Sequence, residues 1–547
     1  MEKRILFGVL IFVLLAGSAS SKEWTVCKSG CYSSKIQTAI NAASPGDTIT
    51  IGDGTFSESV VVDKSLIIRS RNGPRKTTIS STSYSKPTIE VTADDVEITG
   101  VSIRDEYISI GLHDLYNCNI HGNDISGTGK GVILSSVSSC TISENNLSET
   151  EEGIGMYHSS NNIVSDNRVD EGMFGIYLTD ESTSNTISNN RLNSGGIITD
   201  GVLGNQVSGN TLNGRPITYL EGASDQTVPD SAQVILMKCR NMRVIGQDIS
   251  KSLVGILLYW TNQSTISGNS VTNNSWSGIL LMNGSNGNTI NDNDIMYNSM
   301  AGVGVGYGSN GNVIEDNTFL SNEVVGIDIE GCDDNQVTGN TLSGNGVGIA
   351  VAESKGPKVR YNSVTSSALY GLFFLDVSLG EVSHNNVTNN IIGSAMSSFN
   401  QGSFFGNRLS NNSIGIGVED STGSVLYDNL FNSTNNTGVS NCTCDWNIAK
   451  TPGTNIIGGP FIGGNYWSDY NGYGTESDGF GSNPYVVGKD NTDLLPLVLE
   501  GTVCPQKGDR PPCGEITLSE VVAVINQWAQ GKATLSEVIA LINSWAS

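Results

Sequence analysis

An internal repeat constrains this chain more than any other feature. A glycine followed by alternating apolar residues recurs at Gly111, Gly131, Gly153 and Gly175, then at Gly255, Gly278, Gly302, Gly326, Gly348, Gly371, Gly393 and Gly415, in steps of 20 to 24 residues within each run. A second marker, an apolar residue followed three positions later by Asn, runs in phase at Asn123, Asn145, Asn167, Asn190 and Asn210. After a Gln at 247 it resumes at Asn269, Asn293, Asn317, Asn340, Asn362, Asn385, Asn407 and Asn429. Two markers at one period mean that one structural unit is stacked many times.

Within a unit the apolar residues alternate over short runs, as in Gly-Ile-Tyr-Leu-Thr at 175 to 179 and Thr-Ile-Ser at 186 to 188, separated by Asn, Ser, Gly and Asp. Alternation at period two bounded by turn residues reads as strands, and strands this short need neighbours on both edges. One coil of a parallel β-helix supplies them, each coil pairing with the next at roughly 4.8 Å. Fourteen marked positions imply a rod of roughly 65 Å at that spacing. The recurring Asn is expected in a left-handed turn conformation, hydrogen-bonded to its counterparts in neighbouring coils.

Composition narrows the function. Against 29 Lys and Arg stand 54 Asp and Glu, a net charge of -25 that repels nucleic acid and anionic lipid. Residues 1 to 21 read as a secretory signal: Glu2-Lys3-Arg4, an apolar run from Ile5 to Ala16, then small residues. No later apolar stretch reaches the roughly 20 residues of a spanning helix, so a secreted or cell-surface chain with no membrane span after processing is expected. Nine Asn-x-Ser/Thr sequons, from Asn146 to Asn441, are consistent with surface glycosylation.

The entry segment Ile36-Gln37-Thr38-Ala39-Ile40, Pro45-Gly46-Asp47-Thr48-Ile49 and Gly54-Thr55-Phe56 resembles that of right-handed parallel β-helix proteins of the pectin-lyase-like class. The repeats, closing with Gly463-Gly464-Asn465-Tyr466-Trp467-Ser468-Asp469-Tyr470 and Asn483-Pro484-Tyr485, are similar to those of NosD-like proteins over roughly residues 23 to 498. That resemblance implies an all-β, right-handed β-helix with carbohydrate-binding or sugar-hydrolase type repeats, on a scaffold that hosts several chemistries. It also attaches the name of a copper-delivery family. Four scattered histidines, His113, His121, His158 and His384, provide no recognisable copper set, and no metal site or cofactor is expected.

The reading divides the chain into a β-helix over 23–440 with an insertion at 211–233, an aromatic cap over 441–500 and a helical hairpin over 501–547. The insertion, rich in Pro and carrying Tyr219 and Glu221, reads as a loop or small hairpin standing off the rod. The cap, with Phe461, Trp467, Tyr470, Phe480 and Tyr485, is expected to close the open end. Thr517 to Ala529 and Thr534 to Ala546 are two copies of one amphipathic unit agreeing at ten of thirteen positions. Each begins with a Thr N-cap and a Glu three residues on. The arrangement resembles a degenerate dockerin, with Asp509, Gly514 and Glu520 at calcium-loop positions but Pro511 and Cys513 in place of acidic ligands. Calcium is therefore weakly supported, and docking to a surface protein is the expected role of the hairpin. Among ten cysteines, Cys27 with Cys31 and Cys504 with Cys513 are local disulfide candidates. Cys118 and Cys140 hold one place in successive coils, as a thiol ladder or a disulfide. Cys442 and Cys444 read as too close for an easy mutual bond.

If the residue after each marker Gly points inward, the second and fourth after it face outward. Those columns hold Leu257 and Tyr259, Leu280 and Met282, Gly304 and Gly306, then Asp328 and Glu330, with Trp260 and Tyr307 beside them and Phe373 further along. Tyr259, Trp260, Met282, Tyr307 and Phe373 are the expected substrate-binding residues, with room for a sugar chain over the two glycines. Asp328 and Glu330, roughly 6.6 Å apart at strand rise, are the candidate catalytic carboxylates. Lys355, Lys358 and Arg360 are the basic residues a lyase could use. The favoured function is a non-catalytic, exported protein that binds a polysaccharide or cell-envelope glycan or contributes to an envelope assembly. The alternatives are a polysaccharide hydrolase or lyase and a copper-maturation factor.

Overall fold

The computed structural model describes residues 21–81, 83–104, 106–127, 129–179, 181–472, 478–499, 516–530 and 533–546. The signal segment 1–20 and the residues Cys504, Asp509, Pro511, Cys513 and Gly514 lie outside the described residues. The chain is a parallel β-solenoid of three strands per coil. Thr-Ile-Ser and its equivalents build one sheet, the strand after the marker Asn a second, and the strand carrying the marker Gly a third. Pairing is in register from coil to coil; Ile279, for example, pairs with Val303 and then Ile327, all with no exposed surface.

Each marker glycine has a steric cause. A Cβ on Gly302 would lie 2.6 Å from the Gly326 carbonyl oxygen and 2.7 Å from Phe319 Cδ1. The same carbonyl of the next coil blocks Gly255 and Gly278, so any side chain there would force the coils apart. The marker Asn forms a ladder. Asn317 Oδ1 accepts from Asn293 N and Nδ2 (3.0 and 2.9 Å), and its Nδ2 donates to Ile290 O and Asn340 Oδ1 (2.8 and 3.0 Å). The backbone differs from the expected turn. The left-handed residue is the one before the ladder Asn, as at Glu144 (φ 54°), Asp292 (φ 55°) and Asp316 (φ 54°), while the Asn fills the bend from inside.

Residues 211–233 do not stand off the rod. Thr211–Leu212 turns back on Arg215–Glu221 as a tight antiparallel hairpin, and Arg215–Glu221 then pairs in parallel with Gln233–Met237, opening a second run of coils. This re-entry shifts the solenoid sideways at the junction. In the strand Gln233–Met237, Val234 and Leu236 pack into the second core, whereas Ile235 and Met237 join the first. Leu257 and Tyr259 follow them, so one outer face of the second run plugs the open end of the first. The Gln233 side chain ties the two together, accepting from Ile197 N (2.9 Å) and donating to Ile197 O and Val254 O (2.9 and 3.0 Å).

At the other end the ladder passes to Asn465, whose Oδ1 accepts from Asn429 N and Nδ2 (3.1 and 2.9 Å). Trp467 stacks between Phe431 and Tyr485, both at 4.4 Å, and covers the last coil. Asp493 ends the network, accepting from Asn465 N (2.7 Å), Trp467 Nε1 (2.9 Å) and Leu495 N (3.0 Å). Burial raises its carboxyl from 3.8 to about 6, against these hydrogen bonds. The folded carboxyl holds its proton more tightly than the unfolded one, so stability falls as pH rises from about 4 to about 6. Urea denaturation across that window should show a loss of about 3 kcal/mol assignable to Asp493. An Asp493→Asn chain should lack this component; an identical pH profile in parent and variant would refute the assignment.

Disulfides join Cys27 to Cys31 and also Cys442 to Cys444, the pair that reads from sequence as too close for an easy mutual bond; their Cα atoms stand 5.7 Å apart, inside the tolerated range. Cys118 and Cys140 are unbonded and buried, Cys118 N donating to Cys140 Sγ at 3.0 Å. Leu518–Ala529 and Leu535–Ala546 are helices packed through Val521, Val524, Val538 and Leu541. Thr517 N donates to Glu520 Oε2 and Thr534 N to Glu537 Oε2, both at 2.6 Å, so both carboxylates serve as helix caps.

Candidate functional site

The sideways shift leaves a cleft where the two runs meet. Its volume is about 570 Å³, and its walls come from both runs: Phe174, Tyr177 and Asp200 from the first, Tyr259, Met282 and Tyr307 from the second. Trp276 and Asn283 complete the rim. Each wall is the outer face of a glycine-bearing strand, where alternation places a side chain outward every second residue. Tyr177 pairs with Gly155 and Ile198, and Leu280 with Leu257 and Gly304, so each wall is a register column.

Tyr259 is 4% exposed and its hydroxyl donates to Asp200 Oδ1 at 3.2 Å, holding that exposed carboxylate at the cleft wall. Burial first, then the Asp200 charge, raises the Tyr259 phenol, so it remains a donor. Tyr307 is 74% exposed. Trp260 (φ 47°) and Tyr307 (φ 53°) both adopt the left-handed backbone, which bulky residues occupy at a cost of about 1–3 kcal/mol each. Of the two, Tyr307 lines the cleft.

Beyond the Tyr177 wall lies a polar cluster. Glu152, 3% exposed, pairs with Lys130 Nζ at 2.7 Å and accepts from the Tyr157 hydroxyl at 2.8 Å. Burial, then the Glu152 charge, pushes the Tyr157 phenol up to about 12. Burial alone would lower the Lys130 ammonium, but the hydrogen bond to Glu152, the Glu152 charge and the Tyr157 hydroxyl together outweigh it and raise the group. The ring of Tyr157 meets that of Tyr177 edge to face at 5.9 Å, joining the cluster to the cleft.

The sequence-predicted residues are only partly brought together. Tyr259, Met282 and Tyr307 line the cleft; Trp260 packs behind Tyr259 at 5.8 Å and under Lys238 Nζ, also at 5.8 Å. The column at Leu257 and Tyr259 is covered by the first run rather than by the supposed insertion. Gly304 and Gly306 are not open floor, because a Cβ there would meet Leu280 Cδ1 at 2.8 Å and Met282 Sδ at 3.4 Å. Asp328 and Glu330 share the outer face two coils beyond Leu280, roughly 10 Å away at coil spacing. Burial, then the Glu330 charge, raises Asp328 to about 6. Phe373 stands four coils from Leu280 beside Tyr370, at 5.1 Å. Sequence reasoning missed Tyr177, Asp200 and the Lys130–Glu152–Tyr157 cluster. The column rule applied to the coils at Gly153 and Gly175 points to Tyr157 and Tyr177; Asp200 has no such signal, since it lies at the irregular junction.

Fold and cleft together define a parallel β-solenoid protein with an interrupted stack. The family model described as "Periplasmic copper-binding protein (NosD)" matches residues 40–227, 223–363 and 307–472, and the chain belongs to that family. A cell surface glycoprotein of Methanothermus fervidus is 31% identical over 123 residues, 22% of this chain and 20% of that protein, so the match spans about a fifth of that relative. Among solved structures, the A-module of the Azotobacter vinelandii mannuronan C-5 epimerase AlgE6 shares 14% identity, covering 75% of this chain and 94% of that one, with a TM-score of 0.29. A Yersinia enterocolitica family 28 exopolygalacturonase shares 11% identity, covering 78% of each chain, with a TM-score of 0.31. These two likenesses say nothing of activity.

The described residues do not fit a copper centre. Among the described residues no three His, Cys, Asp or Glu side chains group to hold a metal ion. His121 is engaged by Glu97 at 3.1 Å and His384 stacks on Tyr361; Cys118 and Cys140 adjoin in successive coils with no third ligand grouped beside them, and Cys239 and Cys332 are buried elsewhere along the core. Among the described residues no helix is long and apolar enough to cross a membrane.

Proposed function

We propose that this protein is an extracytoplasmic β-solenoid that binds a neutral glycan in the junction cleft, with the C-terminal hairpin as its docking element. One observation carries the reading: a cleft with tyrosine and tryptophan faces, a fixed Asp200 carboxylate and Asn283 offers ring faces for pyranoses and polar groups for their hydroxyls. A net charge of -25 disfavours polyanionic chains, including polyuronates. Family membership and the surface-glycoprotein relative support the location. For the hairpin, support comes from duplication: Leu518, Val522 and Trp528 are exposed, and so are their counterparts Leu535, Ile539 and Trp545.

The test is affinity electrophoresis of the full chain, produced without glycosylation because Asn283 is a sequon in the cleft wall, through gels holding neutral or acidic polysaccharides. Retention by a neutral glycan is expected, and Tyr177→Ala or Tyr307→Ala should each weaken it roughly ten-fold. Unchanged retention in both variants would remove the cleft from consideration.

A second reading is favoured by Asp328, a carboxyl raised to about 6 beside Glu330 and so able to keep its proton close to neutral pH, as a general acid must. It requires release of reducing ends that disappears in Asp328→Asn while retention persists. Retention with no product in the parent chain leaves the binding reading in place.

A further inference from the structure

We propose a second glycan-binding surface on another side of the solenoid, a strip of four rings from four successive coils: Tyr361, His384, Phe405 and Tyr427. It extends the glycan-binding reading but uses none of the cleft residues. Tyr361 stacks on His384 at 4.9 Å with 21° between planes, His384 meets Phe405 edge-on at 5.5 Å, and Phe405 stacks on Tyr427 at 5.1 Å with 8° between planes. Tyr361 is 61% exposed, His384 is exposed, and Phe405 and Tyr427 are half-buried.

Backbone conformation separates the strip from ordinary packing. Tyr361 (φ 55°) and His384 (φ 57°) occupy a left-handed corner that elsewhere in the same column holds Asp292, Asp316, Gly339, Gly406 and Asp428. Asp and Gly are the residues that corner favours; a tyrosine and a histidine in consecutive coils carry strain that the solenoid does not need. The substitution is local and the neighbour accommodates it. Gly406, in the next coil, has no side chain, and His384 leans over it, a Cβ there falling 3.0 Å from His384 Cδ2. The strip thereby crosses from the corner column onto the adjacent sheet face, where Phe405 pairs with Ser383 and Tyr427.

The chemistry selects the ligand class. Rings repeating at the coil spacing, about 4.8 Å, present one flat apolar face per coil, and a chair pyranose is about as long as one coil is tall. Polar groups adjoin the rings. Arg360 pairs with Glu381 at 2.9 Å, and Glu381 also accepts from the buried Ser383 Oγ at 3.2 Å, while Asp428 accepts from Ile456 N at 2.8 Å beside the cap. Because Glu381 already neutralises Arg360, and the whole chain is acidic, the fitting occupant is an uncharged hexopyranose chain rather than a polyuronate.

The deciding variant is Tyr361→Asn with His384→Asn, which places at both corners a residue suited to the left-handed backbone. If the rings serve folding, the melting temperature should fall; if they serve binding, it should hold or rise while retention by neutral polysaccharide gels drops roughly ten-fold or more. The cleft variant Tyr307→Ala, run beside it, separates the two sites. Loss in the corner variant alone upholds the strip and removes the cleft, and partial loss in each upholds both. Loss in the cleft variant alone, a lower melting temperature with unchanged retention, or a parent chain that no neutral glycan retains would overturn the strip.

Discussion

Replacing Asn317 by leucine is expected to cost on the order of 4 kcal/mol, because it strips a buried ladder of a residue that accepts twice and donates in both directions. The side chain is 2% exposed, so water cannot take over. Asn293 would lose the acceptor for its amide and its side chain, and the Ile290 carbonyl would lose a donor. Each coil touches mainly its two neighbours, so the damage should stay local. The measurement is hydrogen exchange resolved by segment. Amides of the coils between Asn293 and Asn340 should exchange faster by up to about three orders of magnitude, with the first run of coils nearly unaffected. Uniform loss of protection along the whole chain would show that the stack melts as one unit and that the ladder is not a chain of local ties.

The second large effect is Gly302→Ala, a single added methyl. Its Cβ would meet the Gly326 carbonyl oxygen at 2.6 Å, Phe319 Cδ1 at 2.7 Å and Asn322 Nδ2 at 3.1 Å. The carbonyl is backbone held in a parallel ladder and Phe319 is 1% exposed, so none of the three can yield cheaply. A destabilisation of at least about 3 kcal/mol is expected, by denaturant unfolding of the full chain. The control is Gly438→Ala, in the last strand of the same sheet, where a Cβ meets nothing within 4 Å. Equal stability of the two variants would remove the steric account of the repeat.

The same two residues show why the architecture was legible before any coordinates. A solenoid places the same chemical problem at the same position in every coil, and Gly and Asn, with Gln247 once in place of Asn, solve the two hardest: passing under a neighbour's carbonyl, and bonding the inside of a bend. Their recurrence therefore spells out coil length and strand order. The column rule is equally local, and it put Tyr259, Met282 and Tyr307 on one outer face. The same rule at Gly153 and Gly175 places Tyr157 and Tyr177 outward.

The junction was not legible. Residues 211–233 break the period, and a broken period reads the same whether the chain loops out or re-enters on a different sheet edge. The outcome depends on Arg215–Glu221 pairing with Gln233–Met237 and on Gln233 reaching Ile197, a contact 36 residues back along the chain. That choice buries Leu257 and Tyr259 and leaves Asp328 and Glu330 outside the cleft.

What this sequence determined by itself was the parallel solenoid and its two C-terminal helices, because each rests on a pattern that recurs at one coil period or one helical turn. What the tertiary structure alone decided was the site. Two outer faces separated by roughly a hundred residues become facing walls only after the stack shifts sideways, and the free energy that selects the shift, burial of Ile235, Met237, Leu257 and Tyr259 in the open end of the first run, belongs to no single repeat.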